Sequence, residues 1–168
     1  MSLFPDDLEK AARTIIEDFA RRGLTIATAE SCTGGLIAGL LTEIAGSSAV
    51  VDRGYVTYSN QAKMDMLGVP SLTLETYGAV SRETALGMAH GALYRSSASI
   101  SVAVTGIAGP GGGSDEKPVG LVHLASASRS GAILHHTMRY GDLGREGIRL
   151  ATVRTALILL QEVHEHST

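Results

Sequence analysis

Short apolar stretches alternate along the chain with segments of helical periodicity, and this alternation restricts the fold more than any other feature. Residues 24–29 are apolar and threonine-rich, as is typical of a buried strand, and the apolar side chains from Leu36 to Ile44 that follow them recur at helical spacing. The same pattern predicts further strands within residues 47–59 and 100–104 and helices at about residues 6–22, 33–45, 60–67 and 81–95. Such alternation is typical of a largely parallel sheet with helices on both faces.

The last third of the chain changes this pattern. Two stretches, residues 119–127 and 133–140, are predicted as a hairpin joined at Arg129-Ser130-Gly131, and a final helix is predicted at about residues 143–164. We therefore predict an α/β fold, a three-layer α/β/α sandwich over a mixed, mostly parallel sheet with a closing hairpin, in which residues 1–168 form a single domain.

Composition narrows the class of protein. Of the 168 residues, 44% are hydrophobic and 18% charged, which favours a globular domain, and a net charge of −3 with few aromatics argues against nucleic-acid binding. The single Cys32 cannot form an internal disulfide. The N-terminal residues are acidic, unlike the positively charged start of a signal peptide, and no apolar run reaches membrane-spanning length. The sequence predicts a cytoplasmic protein without nucleic-acid or membrane partners, and it leaves open whether the chain forms a homo-oligomer.

The junction "ESCTGG" between the first strand and its helix admits two interpretations. Ser31 or Thr33 could cap the helix by accepting a backbone N–H group. Alternatively, Ser31 could be a nucleophile held rigidly at the end of the strand, where the first helical turn can stabilise an anion. Cys32 offers a second nucleophile, although a lone cysteine is more often a small buried packing residue.

Two further strand ends contain candidate groups. In "YSNQAK", Tyr58 ends the strand and Lys63 lies in the first turns of the next helix. A lysine acts as a base only if burial or a nearby cation lowers its pKa. The alternative is that Lys63 is a solvated surface residue. In "TGIAGPGGGSDEKPVG", successive glycines present N–H groups suited to a phosphate or an oxyanion, and Thr105 either donates to a ligand or bonds to its own turn.

The glycine loop matches neither a P-loop nor a dinucleotide fingerprint, and the six histidines show no spacing typical of a zinc site, so no metal is predicted. Ligands of open α/β sheets bind outside the carboxyl ends of the strands. The three strand ends are therefore expected to form one shared site.

Taken together, "TAESCTGG", "AGSSAVVDRGYVTYSNQAK", "GAVS" and "VTGIAGPGGGSDEKPVG" resemble, in this order, the CinA C-terminal domain family over nearly the whole chain. Active members are nicotinamide-nucleotide amidases, which hydrolyse nicotinamide mononucleotide to nicotinate mononucleotide and ammonia. The resemblance implies that Ser31 is the nucleophile, with Tyr58 and Lys63 as its proton-handling partners, and that no cofactor is needed.

The resemblance also implies which residues bind the nucleotide substrate, with N–H groups near Ser31 holding an oxyanion and the glycine loop receiving ribose and phosphate. These predicted binding residues are Cys32, Thr33, Gly34, Thr105, Gly106, Gly109, Gly111, Gly112, Lys117 and Arg145. Because family membership does not guarantee turnover, a non-catalytic nucleotide-binding or regulatory module stays the alternative.

Overall fold

The structure, a computed structural model, describes residues 1–167 and contains five strands and six α-helices. In chain order these elements are α1 (Asp6–Arg22), β1 (Ile26–Glu30), α2 (Leu36–Glu43), β2 (Val51–Val56), α3 (Asn60–Leu67), α4 (Ser71–Tyr77), α5 (Arg82–Tyr94), β3 (Ile100–Gly106), β4 (Leu121–Ser128), β5 (Ile133–Arg139) and α6 (Gly144–Glu165). A short 3₁₀ turn, Ser47–Ala49, precedes β2.

The strands form one mixed sheet in the order β2-β1-β3-β4-β5. Strands β2, β1 and β3 are parallel, whereas β4 is antiparallel to β3 and pairs with β5 as a hairpin. Four of the five strands therefore run in the same direction. The predicted mixed, mostly parallel sheet with a closing hairpin is confirmed.

Each face of the sheet is covered by helices, because successive strand residues point to opposite faces. On one face, α1, α2 and α6 pack against large strand residues such as Ile26, Val102 and Leu124. On the other face, α3, α4 and α5 pack against alanines such as Ala29, Ala103 and Ala125. The small alanine side chains let α5 approach the sheet closely. Helices on both faces of one sheet give the three-layer arrangement.

The structure differs from the sequence-based expectation at two places. Helix α4 was not predicted; it is a single seven-residue helix that begins after Pro70, ends before Gly78 and buries only Leu74, too short for a recognisable apolar period. Helix α2 begins at Leu36 rather than about Thr33, because residues 32–35 form turns and Gly35, with φ 104°, is the residue that precedes the helix. Glycine adopts that left-handed conformation without strain.

The carboxyl ends of the three parallel strands meet at one edge of the sheet. Glu30, the last residue of β1, pairs with Val56 on one side and with Val104 on the other. The segments after β1, β2 and β3 therefore begin side by side. No helix among residues 1–167 is both long and apolar enough to cross a lipid bilayer.

Candidate active site

Ser31 and Lys63, which lie 32 positions apart in the sequence, are in direct contact at this edge of the sheet. The distance between Lys63 Nζ and Ser31 Oγ is 2.9 Å, a hydrogen-bond distance. Ser31 follows the last residue of β1, and Lys63 lies in the first turn of α3, which Ser59 caps by accepting the Ala62 N–H at 3.0 Å. The end of β1 and the capped start of α3 thus position the two groups.

The ammonium group of Lys63 is removed from water. The side chain is 0% exposed, and its Nζ also donates to the Thr57 carbonyl at 2.8 Å. Within residues 1–167 it forms no ion pair with a carboxylate. Burial therefore disfavours the charged form and lowers the pKa of Lys63 to about 8. The interpretation of Lys63 as a solvated surface lysine was wrong.

A buried carboxylate, Glu30, organises the turn that contains Ser31. It accepts hydrogen bonds from the Ile37 and Ala38 N–H groups at 2.9 and 3.1 Å and from the Thr33 hydroxyl at 2.7 Å. Glu30 therefore satisfies the free N–H groups at the start of α2, which neither Ser31 nor Thr33 caps. The interpretation of Ser31 or Thr33 as the cap of this helix was wrong, and the Ser31 hydroxyl contacts Lys63 instead.

Cys32, next to Ser31, is 5% exposed. Its apolar surroundings raise the pKa of the thiol to about 11, mainly through burial, so the reactive thiolate is scarce at neutral pH. The side chain nevertheless contributes to the wall of the cavity above Ser31. Among the described residues, Lys63 Nζ donates to Ser31 Oγ and to the Thr57 carbonyl and not to the Cys32 thiol.

A pocket of about 220 Å³ opens beside the Ser31–Lys63 pair and brings together seven of the predicted site residues. These are Ser31, Cys32, Tyr58, Lys63, Thr105, Gly106 and Arg145, joined by Ala79, Val80 and Ala108. The Thr105 hydroxyl donates to the Ala79 carbonyl at 2.7 Å, so Thr105 holds the segment that precedes α5 against the end of β3.

Arg145, from the first turn of α6, lines both this pocket and a second one of about 380 Å³. Its guanidinium donates to the Gly109 carbonyl at 2.7 Å and to the Tyr58 hydroxyl at 3.1 Å. Tyr58 is 62% exposed, and its hydroxyl forms no hydrogen bond with Ser31 or Lys63 in the described part of the chain. Two cavities that share Arg145 in their linings suit an elongated anionic ligand, although Asp142 also lines the second one.

The other predicted binding residues lie outside the lining of the Ser31 pocket. Thr33 is buried against Glu30, and the Gly34 N–H donates to the Ser31 carbonyl at 3.0 Å. Gly109 is buried behind Arg145, whereas Gly111 and Gly112 are exposed. The ammonium group of Lys117 donates to the Tyr77 carbonyl at 2.6 Å.

Sequence reasoning missed two residues that hold the site. Glu30 could have been found, since a carboxylate just before a helix is a frequent partner of its N-terminal N–H groups. Arg149 could not: its guanidinium donates to the Cys32 and Thr33 carbonyls at 3.1 and 3.2 Å from a helix more than 110 residues away in the chain. Contacts to backbone carbonyls leave no local sequence pattern.

A larger groove, of about 780 Å³, lies between α3, α5 and the β4–β5 turn. It includes Ser128, which pairs with Ile100 at the beginning of β3, so the groove is at the opposite end of the sheet from Ser31. Its arginines, Arg95 and Arg129, donate to backbone carbonyls near the ends of α3 and α5. We therefore place the candidate active site in the smaller pocket, where the serine and the lysine meet.

Comparison with known proteins identifies the class of protein: the chain belongs to the CinA C-terminal domain family, whose model matches residues 8–164. It is 53% identical over 130 residues to the nicotinamide-nucleotide amidohydrolase PncC of Enterobacter agglomerans, a match that covers 77% of this chain and 78% of that protein. It is 48% identical to a CinA-like protein of Geotalea daltonii over 92% of this chain and 37% of that protein.

The chain thus spans about a third of the length of the Geotalea daltonii protein and of two further relatives, a CinA-like protein and a putative competence-damage inducible protein. Among solved structures, that of the competence/damage inducible protein CihA from Agrobacterium tumefaciens superposes with a TM-score of 0.97 at 72% identity, covering 98% of this chain and 99% of that one. A competence damage-inducible protein from Klebsiella pneumoniae gives a TM-score of 0.89 at 36% identity over 95% and 98%.

Proposed function

We propose that this chain is a serine–lysine amidase that hydrolyses the carboxamide of nicotinamide mononucleotide to nicotinate mononucleotide and ammonia. The observation on which the proposal rests is the contact of 2.9 Å between Ser31 Oγ and Lys63 Nζ, an amine that is fully buried and lacks a carboxylate partner in the described residues. The name of the Enterobacter agglomerans relative supports the choice of substrate.

In the first half of the reaction, neutral Lys63 takes the proton of the Ser31 hydroxyl as Ser31 Oγ forms a bond to the carboxamide carbon. The direct contact supports direct proton transfer, and a role for Tyr58 in handling protons stays a prediction. The Thr57 carbonyl accepts one N–H of Lys63 and leaves the nitrogen lone pair free to turn towards Ser31. The carbon–nitrogen bond then breaks, and ammonia leaves with the proton that Lys63 returns.

In the second half, a water molecule attacks the ester carbon while Lys63 accepts its proton. The bond between Ser31 Oγ and the carbon breaks, the serine regains a proton from Lys63, and nicotinate mononucleotide is released. One base thus serves both half-reactions, as in other acyl-transfer enzymes that use a covalent intermediate.

The two cavities divide the substrate between them. A pocket of about 220 Å³ is smaller than the usual site for a whole ligand and suits the nicotinamide ring alone, with its carboxamide at Ser31. The ribose and phosphate then extend past Arg145 towards the second pocket. A planar guanidinium pairs well with a phosphate, so Arg145 is the proposed phosphate-binding group, with the glycine loop beside it.

We expect a strong preference for the phosphorylated substrate. An interaction of Arg145 with the phosphate is lost with nicotinamide riboside, and both ribose and phosphate contacts are lost with free nicotinamide. The catalytic efficiency should fall by about 100-fold or more without the phosphate, because charge-assisted pairs contribute several kcal/mol in such sites. The measurement is ammonia release from the three compounds at equal concentration.

The matched variant is Arg145→Lys, which keeps the charge but loses the two-pronged contact. It should lower the efficiency on nicotinamide mononucleotide far more than that on the riboside. Equal catalytic efficiency of the wild-type protein on the riboside and its 5′-phosphate would contradict the proposed role of the phosphate. The absence of ammonia from all three compounds would contradict the proposed activity itself.

A further inference from the structure

The peptide groups that follow Ser31 are held in one orientation by Arg149 of α6. Its Nε donates to the Cys32 carbonyl at 3.1 Å and its Nη2 donates to the Thr33 carbonyl at 3.2 Å. The side chain is half-buried, and within residues 1–167 its guanidinium forms no ion pair with a carboxylate. These two backbone oxygens are therefore its partners.

This contact decides which way the neighbouring N–H groups point. In a trans peptide the N–H of one residue is directed away from the carbonyl of the residue before it, and the only cis bond among residues 1–167 is Gly109–Pro110. With the Cys32 carbonyl held by Arg149, the Thr33 N–H points away from Arg149. With the Ser31 carbonyl held by the Gly34 N–H, the Cys32 N–H points away from that turn.

The Thr33 N–H has no acceptor among the described residues, and the Cys32 N–H has none there beyond the sulfur of its own side chain. Buried N–H groups in folded proteins are nearly always paired, so two consecutive ones without an oxygen acceptor, directly after a candidate nucleophile, require an explanation. Cys32 lines the pocket that contains Ser31, and Thr33, whose side chain is turned towards Glu30 and lies outside that lining, follows Cys32 directly. A substrate oxygen that becomes negatively charged during attack by Ser31 is the partner that such donors suit.

The turn is also held from the opposite side. Glu30 accepts the Thr33 hydroxyl at 2.7 Å, while Arg149 binds the carbonyl of the same residue. Thr33 is therefore fixed at both its side chain and its backbone, between a carboxylate at the end of β1 and a guanidinium of α6. Removal of either contact would allow the peptide groups after Ser31 to rotate.

We propose that Arg149 is a positioning residue that holds the Cys32 and Thr33 carbonyls, so that the N–H groups of Cys32 and Thr33 form the oxyanion hole for acyl transfer to Ser31. The inference rests on the proposed function for the identity of the nucleophile. It adds a residue that touches neither the substrate nor the Ser31–Lys63 pair and acts through the backbone.

The test compares Arg149→Gln with the wild-type protein in two assays. With nicotinamide mononucleotide, kcat should fall by about 100-fold, the usual effect of losing an oxyanion-hole donor, while KM changes little. The second assay uses a small alkyl fluorophosphonate, whose phosphorus bonds to Ser31 Oγ as fluoride leaves and Lys63 takes the serine proton. Its labelling rate needs the same oxyanion hole but no natural substrate, and it should fall by a similar factor.

Arg154→Gln is the control, because Arg154 is an exposed arginine of α6 that pairs with Asp7 away from the site. It should retain both rates. Arg149→Lys keeps the charge but has a single point donor, so its rates should lie between those of the wild type and Arg149→Gln. If Arg149→Gln does not fold, the test uses Arg149→Lys instead. A loss of about tenfold in kcat and in the labelling rate of Arg149→Lys would then support the proposal.

Labelling of a folded Arg149→Gln protein, or in its place Arg149→Lys, at the wild-type rate would overturn the proposal. A wild-type protein that is labelled on Ser31 but releases no ammonia from nicotinamide mononucleotide would contradict the proposed substrate and leave the comparison of the arginine variants valid. A wild-type protein that is not labelled at all would overturn both.

Discussion

Replacement of Ser31 by alanine is expected to lower ammonia release from nicotinamide mononucleotide by about 10⁴-fold or more, since removal of a serine nucleophile has effects of this size or larger. The change deletes only Oγ, whose partner in the structure is the Lys63 amine. The turn is held by Glu30 and Arg149 rather than by the Ser31 hydroxyl, so the fold should be retained. Substrate binding, measured by calorimetry, should change little.

The neighbouring residue provides the control for this experiment. Cys32→Ser is close in size, and burial holds the pKa of the Cys32 thiol at about 11, so the loss of this thiol should leave most of the activity. The two variants should therefore differ by orders of magnitude. An active Ser31→Ala protein together with an inactive Cys32→Ser protein would show that the cysteine is the nucleophile.

Replacement of Lys63 by arginine is expected to lower kcat by about 10³-fold, within the range assigned to general acid–base catalysis. A guanidinium remains protonated at every accessible pH and cannot accept the Ser31 proton. The Lys63 site is fully buried, and its two hydrogen-bond partners are Ser31 Oγ and the Thr57 carbonyl. The measurement is kcat, with a thermal unfolding curve to confirm the fold.

Lys63→Met is the matched variant, because methionine fills a similar volume without placing a charge in the buried site. It should be as inactive as Lys63→Arg and should unfold at a temperature close to that of the wild type. Near-normal turnover of either folded variant would show that Lys63 is not the base. Tyr58, which lines the same pocket, would then be the first alternative to examine.

The fold was largely predictable because the local spacing of apolar residues indicates where the strands and helices alternate. Helix α3, Asn60–Leu67, has the predicted bounds, and α6 differs from its prediction by one residue at each end. Helix α4 was missed because it buries one apolar side chain. The start of α2 was misplaced because the acceptor for its N–H groups is Glu30, which precedes the expected capping residues.

The site was predictable only in part, for a similar reason. The rule that ligands bind at the carboxyl ends of strands predicted that Ser31, Tyr58, Lys63 and Thr105 lie close together. In the structure, all four line one pocket. The burial of Lys63 and the contribution of Arg145 to the walls of two cavities depend on packing between distant segments, which local patterns do not encode. The glycine loop was expected to line the site, whereas Gly111 and Gly112 are exposed.

The central claim is that a neutral, buried Lys63 takes the proton of Ser31, and the pH dependence of kcat/KM of the wild-type protein tests it most directly. This ratio reports the free protein, in which burial lowers the pKa of Lys63 to about 8. Because the base form of lysine is the deprotonated one, kcat/KM should rise about tenfold per pH unit below that pKa and level off above it. A range from about pH 6.5 to 9.5 stays above the titration of the substrate phosphate near pH 6. A flat profile across this range, or one that falls as the pH rises, would contradict the account.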